Sequence, residues 1–112
     1  EKAGVPSELA DLKSPVADDA ASRERGKKLY TTNCQQCHGE RGDGKGLVAE
    51  PLGVKPAAIG EASYAGRSDG YLYHYIMIGK NQMPTFGYRL NTREIFDIIN
   101  HLRELQGKPV GG

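Results

Sequence analysis

Tryptophan is absent from this chain, and aromatic residues make up only 7% of it. Two phenylalanines and six tyrosines among 112 residues are a thin supply for a side-chain core. Cysteine is equally scarce, with two residues, which excludes a framework of disulfides. No apolar run approaches the ~18 residues that a bilayer-spanning helix requires. A strong charge of one sign is missing too. The formal net charge is +1, and no basic stripe is interleaved with aromatics, so nucleic acid is not an expected partner. The length suits a single domain.

Glycine, by contrast, is plentiful: 15 residues, six of them between Gly39 and Gly60. The small charge also hides an asymmetry. Residues 1–21 hold five acidic and two basic side chains, a net of −3, which leaves +4 for the rest. Residues 1–19 therefore read as an acidic, irregular N-terminal extension with Pro6 and Pro15, and residues 20–112 as the domain proper. Glu1 reads as the start of a processed or trimmed chain.

Both cysteines fall in one string, Cys34-Gln35-Gln36-Cys37-His38. Cys-x-x-Cys-His is the signature of covalent c-type haem attachment. Two thiols on about one turn of backbone can add to the two vinyl groups on one side of a porphyrin. The histidine that follows can then supply an imidazole nitrogen to the iron. A covalent macrocycle would also provide the apolar bulk that the aromatic-poor core lacks.

Other uses of the motif fare worse. A thioredoxin-like dithiol follows a buried strand in a βαβ unit, and Lys27–Asn33 has no strand pattern. A structural zinc site needs four ligands, yet there is no second cysteine pair, and His74 and His101 lack paired spacing. A Cys34–Cys37 disulfide would close too short a loop to stabilise much. The glycine-rich stretch Gly39–Gly46 could be taken for a phosphate cradle, but it lacks the terminal Gly-Lys-Ser/Thr and the preceding strand.

Periodicity predicts three helices. The first runs from about Ala20 to Asn33, capped by Asp18, Asp19 or Ser22 with an acidic first turn, and its inward stripe is Gly26, Leu29, Tyr30 and Asn33. Glycine inside a helix costs about 1 kcal/mol relative to alanine, so Gly26 points to close approach of another helix. The second covers about 70–78, started by Ser68 or Asp69, with Leu72, Tyr75 and Ile76 inward and Gly79 as its stop. The third spans about Thr92 to Gln106, capped by Asn91 or Thr92, with the stripe Ile95, Ile98, Ile99, Leu102 and Leu105. Between the last two, Pro84 disfavours helix at Met83.

A six-coordinate iron needs a second donor, and Met77, Met83, His74 and His101 are the candidates. Met77 and both histidines sit inside helical patterns. Met83 sits before a proline in a non-helical loop, which presents its side chain away from any helix face. The plain alternative for either methionine is core packing.

These features together resemble a class I c-type cytochrome over roughly residues 20–107. They are a first helix with Gly26 and Tyr30, Cys34-x-x-Cys37-His38-Gly39, a glycine-rich loop, a short helix ending at Gly79, Met83-Pro84-x-Phe86, and an amphipathic last helix. The resemblance implies an all-α fold whose first and last helices cross, with Gly26 and Tyr30 on the last helix near His101. There His101 replaces a family aromatic and acts as a packing residue. It implies one covalent haem c on Cys34 and Cys37, with His38 and Met83 as axial iron ligands. Tyr64, Tyr71, Ile76, Pro84 and Phe86 would line the pocket. In relatives a proline carbonyl after the glycine-rich loop accepts the histidine Nδ1 proton, and here the backbone carbonyl of Leu47 is the expected substitute. The implied function is periplasmic transfer of single electrons between redox partners, without catalysis. Lys27, Lys28, Lys45, Lys55, Lys80 and Arg89 would flank the docking edge. Two alternatives remain in view. One is a haem sensor or enzyme with a displaceable Met83, although no distal acid–base residues are evident. The other is an electron-transfer subunit of a larger respiratory complex.

Overall fold

A computed structural model describes residues 12–79, 83, 85–87 and 89–111. Pro84 and Lys80 therefore lie outside the described residues. The described chain is helical: α1 (Ala20–Asn33), α2 (Gln35–His38), α3 (Ala49–Leu52), a 3-10 turn (Ala62–Tyr64), α4 (Asp69–Ile78) and α5 (Thr92–Leu105).

The helix ends follow local chemistry. Asp19 caps α1 by accepting from the Ser22 amide at 2.8 Å. The expected acidic first turn is not there, because the acid nearest that end is the cap itself. Ser68 caps α4, and Gly79 ends it at φ 80°. Asn91 and Glu94 form a reciprocal capping box at the start of α5.

Helix α5 is the centre of the molecule rather than a one-faced surface helix. Every residue from Ile95 to Arg103 is buried. Ile95, Ile98, Ile99 and Leu102 form the expected stripe, while Leu105 is only half-buried. Phe96, off that stripe, is fully buried because its ring stacks on Tyr73 of α4, with centroids 4.9 Å apart and planes within 2°. On α4 the inward residues are Leu72, His74 and Ile76. Tyr75 is half-buried, and His74 takes the inward place expected for it.

The crossing of α1 with α5 is built at one-turn intervals along α1. Ser22 donates to Asp97 Oδ1 at 2.6 Å and accepts from Asn100 Nδ2 at 2.9 Å. One turn later Gly26 lies against the α5 backbone, and a Cβ there would stand 1.8 Å from the Asp97 carbonyl oxygen. One turn later again the Tyr30 ring meets His101, with centroids 5.2 Å apart. Gly26 is thus at the crossing, one turn before His101 on α5, and Tyr30 is the residue that contacts His101. The buried Asp97 carboxylate is further held by Arg25 at 3.1 Å. Residues 16–18 and Pro109 are tied to the same region. Val16 packs on the core, Asn100 donates to the Ala17 carbonyl, and Arg23 joins Asp18 to the Pro109 carbonyl. That guanidinium holds the Asp18 carboxyl below the usual carboxylate range.

Adding one methyl at Gly26 must push backbone apart, because the obstructing atoms are carbonyl oxygen and carbon. We expect Gly26→Ala to destabilise the protein by at least ~1–3 kcal/mol in denaturant melts. On an open helix face the same change would stabilise by up to about 1 kcal/mol, and that result would refute the close crossing.

Candidate functional site

The Cys34–His38 string forms a single turn that continues from α1. The Cys34 amide bonds to the Tyr30 carbonyl at 2.8 Å, and the Cys37 and His38 amides bond back to the Cys34 carbonyl at 3.2 and 2.9 Å. Both cysteines therefore ride on one turn, as the spacing requires. Gly39 at φ 86° breaks the turn, and its carbonyl accepts the Tyr30 hydroxyl at 2.6 Å. Tyr30 thus spans from His101 to the residue beside His38.

The glycine-rich loop serves this turn. Gly44 donates to the His38 carbonyl, Gly46 to the Cys37 carbonyl and Val48 to the Gln36 carbonyl, at 2.8–3.0 Å. These bonds satisfy carbonyls that the short helix leaves open. The contact is so close that a Cβ on Gly46 would stand 2.0 Å from the Gln36 oxygen. The Gly42 and Lys45 amides are engaged as well, by the Gly39 carbonyl and the Asp43 carboxylate. No amide at these positions is left for a phosphate, so the phosphate-cradle reading fails.

His38 is buried, and its Nδ1 lies 2.9 Å from the carbonyl oxygen of Ala57. The expected acceptor, the Leu47 carbonyl, is not used. Amides on both sides of Leu47 hold its backbone against α2, and its side chain points outward at 92% exposure. A carbonyl only accepts, so Nδ1 carries the proton and Nε2 keeps a free lone pair. Burial lowers the His38 pKa, with the Ala57 bond opposing. The neutral ring, the ligating form, is thereby favoured.

Cys34 lacks the electrostatics of an attacking redox thiol. Burial, then the charge of Cys37, pushes the Cys34 thiol up to about 12, whereas reactive dithiols have depressed pKa values. No cluster of three or more His, Cys, Asp or Glu that could hold a metal ion occurs among the described residues, against the zinc reading.

Cys34, Ile76 and Phe86 belong to one buried apolar cluster, with Tyr71, Met77 and Met83 packed against it. Tyr64 is not part of that cluster; the Arg67 guanidinium lies over its ring at 5.7 Å and over the Tyr71 ring at 4.9 Å. The Met83 segment folds back on the end of α4. Phe86 and Gly87 donate to the Ile76 and Met77 carbonyls at 3.1 and 2.9 Å, and the Thr85 hydroxyl also donates to the Met77 carbonyl. The Met77 side chain covers Gly87, where a Cβ would meet its Cγ at 2.9 Å. His74 and His101 are buried, and their Nδ1 atoms have no hydrogen-bond partner among the described residues. Two contributors escaped sequence reading: the Ala57 carbonyl, which no side chain announces, and the Tyr30 hydroxyl, whose ring alone was expected to matter.

Residues 21–102 match the family described as cytochrome C oxidase, cbb3-type, subunit III. The chain is 33% identical over 90 residues to the cbb3-type cytochrome c oxidase subunit CcoP of Azospirillum brasilense, covering 80% of this chain and 30% of that one. It is 32% identical over 82 residues to cytochrome c6 of Bumilleriopsis filiformis, covering 73% and 90%. Among solved structures, cytochrome cL of Methylophaga aminisulfidivorans superposes with a TM-score of 0.64 at 26% identity, over 79% of this chain and 55% of that one. The chain thus spans nearly all of one relative and about a third of another.

The buried His101 makes stability depend on pH. Burial is the main cause that lowers its pKa from 6.5, while Glu104, 3.6 Å away, opposes. Lys27 and Arg23 of α1 add to the lowering. A base depressed in the folded state contributes fully above 6.5, and its contribution falls as pH drops from there towards the folded value. His101→Phe keeps a ring against Tyr30 and removes this titration. Melts at pH 7.5 and 5 should show a smaller acid loss in the variant; equal losses would refute the assignment.

Proposed function

The chain belongs to the c-type cytochrome family described as cytochrome C oxidase, cbb3-type, subunit III, and we propose that it carries single electrons between redox proteins through a haem ligated by His38 and Met83. Its cofactor is one covalently bound haem c. Cys34 and Cys37 would hold it by thioether bonds, and the residues fit: two free cysteines on one turn, followed by an imidazole whose Nδ1 is already engaged and whose Nε2 is free. That single observation, the tautomer of His38 set by Ala57, carries the reading. Bound there, the haem supplies the Fe(III)/Fe(II) couple.

For the second ligand, the geometry favours Met83 over Met77. Both methionines border the cluster that holds Cys34, Ile76 and Phe86, but the Met77 side chain lies over Gly87, while Met83 sits before a proline outside any helix. A thioether is a soft donor that favours Fe(II) and raises the potential. With both axial positions filled by protein, no site remains for substrate, so the domain acts by outer-sphere transfer and not as an enzyme. Ile76, Phe86 and Tyr71 would pack on the macrocycle, with Pro84 beside Met83 in sequence; Tyr64 would lie nearer the rim.

Partners would dock beside the attachment turn. Leu47 projects between two amides bonded to the Cys37 and Gln36 carbonyls, and Val48 and Leu52 nearby are 37% and 66% exposed. Lys27, Lys28, Lys45, Lys55 and Arg89 are exposed too. An apolar contact among cations suits a brief encounter with an acidic-rimmed redox protein. The family's covalent haem attachment takes place outside the cytoplasm, so the proposed compartment is the periplasm. A second reading, an electron-transfer subunit of a respiratory complex, is favoured by the match to 30% of an oxidase subunit.

Two experiments test this. Mass spectrometry of the denatured protein should retain the haem mass, and haem extractable by acid and solvent would sink thioether attachment. The ferric protein should show a weak near-infrared sulfur-to-iron band. Met83→Ala should abolish it and open the ferrous iron to rapid carbon monoxide binding, while Met77→Ala leaves both unchanged. Rapid stoichiometric binding to the native protein would instead favour a sensor or enzyme.

A further inference from the structure

The carbonyl that holds His38 belongs to a residue with no anchor of its own. Ala57 is exposed, and its side chain is a methyl. Its position depends on the strap of residues 56–67 that runs from the glycine-rich loop to α4. At the near end, a Cβ on Gly44 would stand 2.6 Å from the Pro56 carbonyl oxygen, and the Gly60 amide donates to the Gly42 carbonyl at 2.8 Å. At the far side, the last turn of α5 holds the strap. Gln106 Nε2 donates to the Ile59 carbonyl at 2.8 Å. Arg103 donates to the Arg67 carbonyl at 2.7 Å and to Asp69 Oδ1 at 2.8 Å.

The Gln106 amide is itself oriented. An amide's oxygen and nitrogen ends have similar shapes and opposite hydrogen-bonding roles. Arg103 Nη1 donates to Gln106 Oε1 at 2.9 Å, and a guanidinium only donates. It therefore selects the oxygen and turns the NH2 group toward Ile59. Both residues are 7% exposed, so water offers little competition for these bonds.

We propose that Gln106, oriented by Arg103, is a positioning residue for the iron-bound imidazole: by fixing the strap at Ile59 it keeps the Ala57 carbonyl on His38 Nδ1 and so sets the reduction potential. This rests on the ligation of iron by His38 proposed above. A strong bond from Nδ1–H to a carbonyl makes the imidazole more basic, which favours Fe(III). Loosening the strap weakens that bond and shifts the couple toward Fe(II).

The test uses the holoprotein and Gln106→Met, which keeps the length of the side chain and removes donor and acceptor. Ser22→Ala serves as a control that weakens the α1–α5 crossing without touching the strap. Redox titration of Gln106→Met should shift the equilibrium at least about threefold toward Fe(II), which is ~28 mV for a one-electron couple. Proton NMR should show the His38 Nδ1–H exchanging with solvent at least about tenfold faster. Ser22→Ala should lower the melting temperature and move neither. A Gln106→Met protein that melts lower yet keeps the wild-type potential and exchange rate overturns the proposal. A wild-type Nδ1–H without hyperfine shift would overturn the ligation reading and this one with it; a shifted proton that Gln106→Met leaves unmoved overturns the positioning role alone. Should Gln106→Met fail to assemble, Arg103→Lys keeps the charge near Asp69 and loses the two-pronged fork, and the same two readouts decide.

Discussion

The close approach of α1 to α5 at Gly26 is the constraint from which the rest of the structure follows. Contact at this distance requires a residue without a Cβ. The crossing places Tyr30 one turn further along, and Cys34 is the residue that ends α1. The attachment turn therefore inherits its position from the helix crossing. The buried polar residues at the crossing act in the same sense. Asp97 is fully buried, an unfavourable state for a carboxylate unless its oxygens are engaged. Ser22, Arg25 and Arg93 engage them, and that demand selects one rotation and one register of α1 against α5.

A second layer of constraint is made almost wholly of backbone. A short helix such as α2 leaves its carbonyls unsatisfied, and the glycine-rich loop returns to satisfy three of them. The low-aromatic composition is consistent with this design. The peptide groups of the Cys34–His38 turn are held by other peptide groups at glycine contacts, and a bound macrocycle would supply apolar filling. The arrangement also explains why Leu47 is exposed. Its neighbours' amides turn inward, so its side chain must turn out, beside the cysteine that would carry the haem edge.

The end of α5 and the residues that follow it then join the two layers. Arg103, Gln106 and Lys108 reach across to carbonyls at Arg67, Ile59 and Ala65. One helix thereby packs on α1 through its middle, on α4 through Phe96, and on the strap through its end. The residues that tie down the strap and those that hold the helix crossing thus lie on one helix and the residues just after it.

Helix limits were legible in the sequence because caps and breakers act locally: Asp19, Ser68, Asn91 and Gly79 do their work within a few residues of themselves. Cys34-x-x-Cys37-His38 was legible because covalent attachment imposes its spacing along the chain, and Gly26 was legible because an interior glycine is costly without a close neighbour. The stripe on α5 was only half legible. Its pattern reports one apolar face, and it cannot report that Phe96 stacks on Tyr73 or that Asp97 and Asn100 are buried and bonded to Ser22. The acceptor for His38 was not legible at all. A carbonyl belongs to every residue alike, so which one meets Nδ1 depends on how the loop and the strap fold around each other. Local chemistry along the chain determined the helices and the Cys34–His38 turn; the tertiary structure alone decided which backbone atoms, from residues far apart in sequence, would hold that turn in place.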